Sequence, residues 1–405
     1  METSNRHPRI SKGRATLLIG LTILILIGSV VFLSQWRIAH TQPQTHAQPH
    51  VNVPANSNTA MFGFDLQRTR FNPSEHTLST ANVSHLVPFW STSTAAYINS
   101  SPAVVNGIVY IGSNDKIMYA FDAKTGKILW AHNANDGVGS SPAVANGIVY
   151  VGSNDASLYA FNARTGNTAW IYTTGGAVWS SPVVANGVVY VGSNDNSLYA
   201  LDAATGKVLW TYTTDNFVSS SPAVVNGVVY VGSEDDKLYA LDARDGKTLW
   251  IATVKLPFRV SSPAVANGMV YIGSEDTNLY AFNATTGELL WKAPTGGLIH
   301  SSPAVASGMV YIGSTDGKLY AFNAMTGKLL WTVTTGDRIY SSPTVANGIV
   351  YISSQDRKLY ALDAISGAIL WTYTTGDAID SSPAVVNGVV YVGSFDGKVH
   401  AFHLR

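Results

Sequence analysis

The amino-acid sequence predicts an all-β fold: an eight-bladed β-propeller of four-stranded antiparallel blades, closed by an N-terminal strand and preceded by one transmembrane helix. Two observations predict the propeller. Tryptophan recurs about every forty residues, and the tripeptide Ser-Ser-Pro recurs in step with it. A repeat of this length is typical of propeller blades. A third observation, an uncharged run near the N-terminus, predicts the membrane span.

The composition agrees with an all-β protein. The chain of 405 residues is 46% hydrophobic and only 12% charged, with 36 glycines and 20 tyrosines, which indicates many turns and large side chains suited to strands. Net charge is zero, so no overall field favours nucleic acid. Cysteine is absent, which excludes disulfides and thiolate chemistry.

One repeat shows how the four strands arise. Strands are expected at 181–185, 188–193, 198–203 and 208–213. Asn186-Gly187 joins the first two, because these residues accept the positive φ angles of a type I′ hairpin turn. Pro182 cannot donate to a sheet, so the first strand should lie at a sheet edge.

The two ends of the chain predict how the ring closes. The last repeat, 381–405, has three strands and then stops, whereas residues 86–92 read as an isolated fourth strand. We therefore expect the N-terminal strand to complete the C-terminal blade. Residues 61–85 are expected to pack across a rim of the propeller, whose domain is 61–405.

The N-terminal region reads as a membrane anchor. Residues 1–14 form a basic tail, 15–34 carry no charge, and 35–60 are a polar, proline-containing linker. Twenty apolar residues span about 30 Å as a helix, and the preceding positive charges favour a cytoplasmic N-terminus. The expectation is a single-pass signal-anchor in a bacterial plasma membrane with the propeller outside the cytoplasm. A cleaved signal peptide is the alternative.

The segment from Leu201 to Trp210, Leu-Asp-Ala-Ala-Thr-Gly-Lys-Val-Leu-Trp, is nearly copied in the other repeats. It resembles the tryptophan-docking repeats of pyrroloquinoline-quinone (PQQ) propellers. That family includes quinoprotein dehydrogenases and a non-catalytic outer-membrane assembly propeller, and this chain resembles the latter more. The resemblance implies that the repeated tryptophans dock adjacent blades; they are Trp90, Trp130, Trp170, Trp210, Trp250, Trp291, Trp331 and Trp371.

Candidate binding residues lie on the face that carries the connections between blades, here called the mouth face. The residue before each Ser-Ser pair varies, and these positions should encircle the central channel. The segment 253–259, which contains a one-residue insertion, and Arg338, two residues before Tyr340, should lie on the same face. Together these positions predict a binding surface of Asn99, Trp179, Lys255, Phe258, Arg259, His300, Arg338, Tyr340 and Asp380. Trp179 is also the candidate floor for a planar cofactor.

An aspartate also recurs on this face in every blade, for example Asp195. A ring of carboxylates could gather cations, but aspartate in a tight turn more often binds its own backbone. No metal site and no catalytic residue are predicted, because the connections are short and no hydrolase, phosphate-loop or zinc pattern occurs.

Two classes of function follow. The favoured hypothesis is a non-catalytic, membrane-tethered scaffold that binds a protein partner on the mouth face and needs no cofactor. The alternatives are a PQQ- and Ca²⁺-dependent dehydrogenase that oxidises an alcohol or sugar, or a propeller that senses a ligand. A Ca²⁺-competent cluster of Asp, Asn and Glu above an aromatic floor would distinguish the enzyme.

Overall fold

The computed structural model describes residues 60–405, which form eight sheets arranged as a ring. The first strand of each blade contacts the first strand of the next, and the series returns from the last blade to the first. This confirms the predicted all-β, eight-bladed propeller. The predicted transmembrane segment lies outside the described residues; from 60 to 405, no helix is long and apolar enough to cross a membrane.

Two strands and a 3₁₀-helix precede the repeats: β1 (Phe71–Asn72), the 3₁₀-helix Val83–His85, and β2 (Leu86–Ser93). Blade 1 consists of β3 (Ala103–Val105), β4 (Ile108–Gly112), β5 (Ile117–Asp122) and β6 (Ile128–Asn133). Blade 2 consists of β7 (Ala143–Ala145), β8 (Ile148–Gly152), β9 (Ser157–Asn162) and β10 (Thr168–Thr173). Blade 3 consists of β11 (Val183–Ala185), β12 (Val188–Gly192), β13 (Ser197–Asp202) and β14 (Val208–Thr213).

Blade 4 consists of β15 (Ala223–Val225), β16 (Val228–Gly232), β17 (Lys237–Asp242) and β18 (Thr248–Thr253). Blade 5 consists of β19 (Ala264–Ala266), β20 (Met269–Gly273), β21 (Asn278–Asn283) and β22 (Leu289–Pro294). Blade 6 consists of β23 (Ala304–Ala306), β24 (Met309–Gly313), β25 (Lys318–Asn323) and β26 (Leu329–Thr334). Blade 7 consists of β27 (Thr344–Ala346), β28 (Ile349–Ser353), β29 (Lys358–Asp363) and β30 (Ile369–Thr374), and blade 8 adds β31 (Ala384–Val386), β32 (Val389–Gly393) and β33 (Lys398–Leu404) to β2.

The hairpin turns follow from local sequence. Asn186 and Gly187 have φ angles of 51° and 78°, as the predicted type I′ turn requires. Between the third and fourth strands, the register shifts so that Trp210 pairs with Ala200 and Val208 with Leu201. The extra residue is Leu209, which is exposed, whereas Trp210 is nearly buried. The bulge therefore turns the tryptophan away from solvent.

The core lies between neighbouring blades, and the tryptophans hold it together. Trp210 Nε1 in blade 3 donates to the carbonyl oxygen of Ala243 in blade 4 at 3.0 Å. Its ring packs on Gly246 of the same turn and beside Tyr190, with ring centroids 5.8 Å apart. The other seven tryptophans also donate from Nε1 to a backbone carbonyl oxygen of the next blade, Trp371 to that of Leu86 in the outer strand of blade 8.

The ring closes as expected. Strand β2 pairs antiparallel with β33, with Leu86 opposite Leu404 and Ser93 opposite Lys398. The N-terminal strand is thus the outer strand of blade 8.

The sequence led us to expect that the segment before β2 packs across a rim of the propeller. The structure differs, because part of this segment lies against the inner strands of the blades. Residues 60–72, here called the channel segment, bind the inner strands of the blades. The carbonyl oxygens of Leu66 and Thr69 accept from the amides of Val224 and Val305, each at 2.8 Å, and β1 pairs parallel with β27. The inner strands are short and have an unpaired edge toward the channel, so an extended segment there satisfies backbone groups that the blades leave free.

Candidate functional site

The channel opens on the mouth face into a funnel of about 140 Å³, here called the mouth funnel. Its wall contains seven of the eight residues that precede the Ser-Ser pairs, and Phe62 of the channel segment also lines it. The structure therefore brings together five of the nine predicted binding residues: Asn99, Trp179, His300, Tyr340 and Asp380. Ser219 and Val260, which also precede Ser-Ser pairs, line it as well.

A closed ring of hydrogen bonds sets the geometry of the funnel. The second serine of each Ser-Ser pair accepts from the backbone amide of the equivalent serine in the preceding blade; for example, Ser141 N donates to Ser181 Oγ at 3.0 Å. The ring closes where Ser382 N donates to Ser101 Oγ at 2.9 Å. The other six bonds measure 2.8–3.0 Å. These bonds hold the eight preceding residues at one level around the axis.

Trp179 is the largest exposed side chain of the funnel, with 46% of its surface accessible. It stands in the connection from β10 to β11. Val260, in the connection from β18 to β19, is 38% exposed. The funnel thus presents apolar surface to solvent instead of enclosing it.

Asp380 is the acidic residue of the funnel wall. Its Oδ1 accepts from Gln355 Nε2 at 3.3 Å. Burial disfavours the charged form and raises the pKa of Asp380 to about 6. This carboxyl group has capacity left for a donor from a bound partner.

A polar network occupies the neighbouring part of the wall. His300 Nε2 lies 3.1 Å from Glu275 Oε1, and Arg259 Nη1 lies 3.2 Å from the same oxygen. Ser219 Oγ donates to Glu234 Oε1 at 2.8 Å. Burial lowers the pKa of His300, although Glu275 opposes the shift.

Phe258 and Lys255, two of the residues predicted for the binding surface, do not line the mouth funnel, and the prediction for Phe258 was wrong. Phe258 is completely buried. It occupies the core position that Val218 and Ile299 fill in other blades, so the inserted residue is Arg259 and not an exposed aromatic. Lys255 lines a separate depression with Leu256 and Lys292. Arg338 is exposed beside the funnel, with Nη1 3.5 Å from the Tyr340 hydroxyl.

Three residues of the site were not predicted. Glu234 and Glu275 follow the Gly-Ser pair in their blades, where most repeats have an uncharged residue; that departure was a usable signal. Phe62 had no signal, because it belongs to the segment before the repeats.

The recurring aspartates are structural, as the turn chemistry favours. Asp195 Oδ1 accepts from its own turn at Ser197 N, at 3.0 Å, and Oδ2 accepts from the Tyr199 hydroxyl at 2.7 Å. Oδ2 also accepts from Gly175 N at 2.6 Å, which ties the turn to the preceding connection. Similar tyrosine or histidine bonds occur at the other seven aspartates.

The mouth does not fit the PQQ and Ca²⁺ that the alternative dehydrogenase hypothesis requires. Ligand pockets generally enclose about 300–1,000 Å³, and the funnel is smaller. The carboxylates of Glu234 and Glu275 pair with Arg259, and that of Asp380 accepts from Gln355. Across residues 60–405, no three His, Asp or Glu side chains are grouped closely enough to hold a metal ion.

Comparisons with known proteins agree with this architecture. A search of curated protein sequences finds no significant match. Among solved structures, a europium-containing methanol dehydrogenase is similar with a TM-score of 0.77 at 15% identity, covering 86% of this chain and 98% of its own. BamB from Moraxella catarrhalis has a TM-score of 0.68 at 23% identity, covering 78% and 99%. A computationally designed protein has a TM-score of 0.70 at 19% identity, covering 77% and 97%.

These structural likenesses show the fold alone. The family assignment rests on the sequence. A family model described as outer membrane protein assembly factor BamB matches residues 81–181, 173–297, 252–342 and 279–405. The matches overlap and together include every repeat, so this chain belongs to the PQQ-like repeat propeller family that this model describes.

Proposed function

We propose that this chain is a membrane-tethered, extracytoplasmic scaffold that binds a protein partner on its mouth face and performs no catalysis there. The observation that carries the proposal is the form of the mouth funnel. Its volume is only about 140 Å³, Phe62 lines it, and the side chains of Trp179 and Val260 in its wall are exposed.

Six exposed apolar residues lie in connections between blades and are therefore on the mouth face; they are Tyr97, Trp179, Phe217, Leu256, Val260 and Leu298. Exposed apolar surface bordered by polar groups is typical of protein interaction sites. Rigid blades hold these connections in place, which lowers the entropy lost on binding.

The polar groups of the funnel suggest what the partner presents. Asp380 accepts one bond from Gln355, whereas Arg259 is already paired with Glu275. The partner that fits best inserts an apolar side chain beside Trp179 and offers a hydrogen-bond donor to Asp380. A protein segment with a hydrophobic residue next to a basic or amide group has this chemistry.

The family supports a binding role coarsely. The matching family model is described by an assembly factor, and one similar structure is BamB itself. Tethering is proposed from the sequence: the uncharged run at 15–34 and the basic residues before it would place the propeller outside the cytoplasm.

Site-specific photocrosslinking in intact cells tests the binding face. A photoreactive phenylalanine analogue replaces Phe217, in the connection next to that of Trp179, and in a second full-length chain replaces Leu209 on the outer strand of blade 3. Both residues are exposed, at 40% and 51%. We expect a discrete crosslinked protein from position 217 and not from position 209.

Trp179→Ala then tests whether Trp179 is a main contact for the partner. An aromatic hot spot contributes at least about 2 kcal/mol, so crosslinking at 217 should fall at least about tenfold at limiting partner. Leu249→Ala, at an exposed outer-strand residue, is the control and should leave the yield unchanged. Equal yields from positions 209 and 217, or an unchanged yield with Trp179→Ala, would contradict the mouth as the binding face.

Two further measurements test the other parts of the proposal. Deleting residues 15–34 should release the chain from carbonate-washed membranes; retention would contradict the proposed membrane anchor.

Titration with PQQ and Ca²⁺, followed by tryptophan fluorescence and dye-linked alcohol oxidation, should show no saturation and no turnover. Turnover that Trp179→Ala abolishes would establish the dehydrogenase instead.

A further inference from the structure

Two arginines of the channel segment are buried inside the propeller, and they are bonded very differently. Arg68 is fully used: its guanidinium donates to the carbonyl oxygens of Pro222, Phe62 and Ser181 at 2.5, 2.6 and 2.8 Å. Arg70 is 2% exposed and donates once, from Nη1 to the carbonyl oxygen of Arg68 at 3.2 Å. Its Nε and Nη2 have no partner.

One carboxylate, that of Asp65, interacts with the two positive charges of this pair, so the segment around them leaves one positive charge unbalanced. Asp65 is the one acidic residue between 60 and 72, and its oxygens accept from Thr69 N at 2.8 Å and from Thr69 Oγ1. Burial and the neighbouring Arg68 lower the pKa of Arg70. A guanidinium nevertheless stays protonated in proteins, and a buried charge without a counter-charge is costly. An anion bound next to Arg70 would lower the energetic cost of burying its charge.

A small cavity lies beside Arg70, between the channel segment and blades 8 and 1. Its volume is about 20 Å³, and Arg70, Phe62, Ser101 and Ser382 are among its lining residues. Both serine oxygens accept bonds of the serine ring. Their hydroxyl protons have no acceptor in the described part of the chain, so they are free to donate into the cavity.

We propose that this cavity is a binding site for a monatomic halide, which is chloride in the cell. The donors are Arg70 and the hydroxyl groups of Ser101 and Ser382. The volume accepts one small particle, since a single water needs about 10–15 Å³ on the same measure; a tetrahedral oxyanion is too large. The Phe62 ring, 4.2 Å from Arg70 Cζ, covers the guanidinium on one side. The halide compensates the charge that the chain itself leaves unpaired.

The test is bromide binding by the full-length chain. Sodium bromide replaces sodium gluconate at constant ionic strength, and the unfolding temperature is followed by tryptophan fluorescence. A ligand that binds only the folded state raises this temperature, so we expect a rise that saturates with bromide. Arg70→Met keeps the length of the side chain and removes its donors, and should abolish the dependence. Arg164→Met, at an exposed arginine, should retain it.

Crystals grown in bromide give a second readout that needs no variant. An anomalous peak within hydrogen-bond distance of Arg70 Nε or Nη2 is expected. Water there instead of bromide would overturn the proposal, as would the same bromide dependence in wild type and Arg70→Met. If Arg70→Met does not fold, Arg70→Gln replaces it and should weaken the bromide dependence at least tenfold in apparent affinity.

Discussion

Asp380 shows how one mouth side chain couples the site to pH. Its pKa is raised to about 6 by burial, whereas an unfolded aspartate titrates near 3.9. The folded state therefore binds the proton more tightly, and the carboxylate costs stability above pH 6. This cost falls as the pH drops through 6 and disappears near pH 4.

Asp380→Asn should remove that cost while keeping an oxygen that accepts from Gln355. We expect the variant to be more stable than wild type by about 1–2 kcal/mol at pH 8, with the difference vanishing near pH 4. Denaturant unfolding across this range measures it. Asp377→Asn, at an exposed aspartate of the same connection, is the control for loss of a carboxylate. A pH-independent difference for Asp380→Asn would contradict burial as the cause.

At the scale of the blade, each sheet packs on the next through a tryptophan ring that lies against a turn glycine, as Trp210 does against Gly246. Gly246 has a φ of 72°, and a Cβ there would lie 2.7 Å from Trp210 Cε3. Gly227 has a φ of 79° in the hairpin turn of the same blade, yet a Cβ there would meet nothing within 4 Å. The two glycines share the backbone strain and differ in the steric clash.

Gly246→Ala and Gly227→Ala form a matched pair. Both should lose about 1 kcal/mol for a non-glycine residue at positive φ. Gly246→Ala should lose a further 1–3 kcal/mol or so, because it forces the Trp210 ring out of its place. Equilibrium unfolding with tryptophan emission as the probe measures both. Equal losses would show that the tryptophan is not held tightly against the turn.

For the whole molecule, the channel segment connects blades that are far apart along the chain. Arg68 contacts the carbonyl oxygens of Ser181 in blade 3 and Pro222 in blade 4. Removing its guanidinium would leave these buried acceptors without a donor. Each such loss costs about 1–3 kcal/mol.

Arg68→Met should therefore destabilise the propeller by at least about 3 kcal/mol. Hydrogen exchange should quicken at the amides of Val224 and Val305, which donate to the channel segment. Exchange at Leu201, in the middle of blade 3, is the internal reference. Unchanged hydrogen exchange and an unchanged free energy of unfolding would show that the channel segment does not stabilise the ring of blades.

The repeat itself was readable from the sequence, because its determinants are local. A period-two apolar pattern, an Asn-Gly hairpin and a tryptophan every forty residues specify one blade. Copying the blade eight times leaves a closed ring as the arrangement that buries both sides of each sheet. The position before each Ser-Ser pair could be assigned to the channel for the same reason, since equivalent residues of equivalent blades occupy one level.

Only the tertiary structure decided what fills that ring. The channel segment lies outside the repeat, so no periodicity indicates that Phe62 reaches the funnel or that Arg68 and Arg70 are buried beneath it. The insertion before Val260 misled the prediction for Phe258, because one added residue is locally compatible with two registers and core packing selects between them. Local rules determined the blades of this protein, whereas contacts between segments distant in the chain determined its channel and the surface of its mouth.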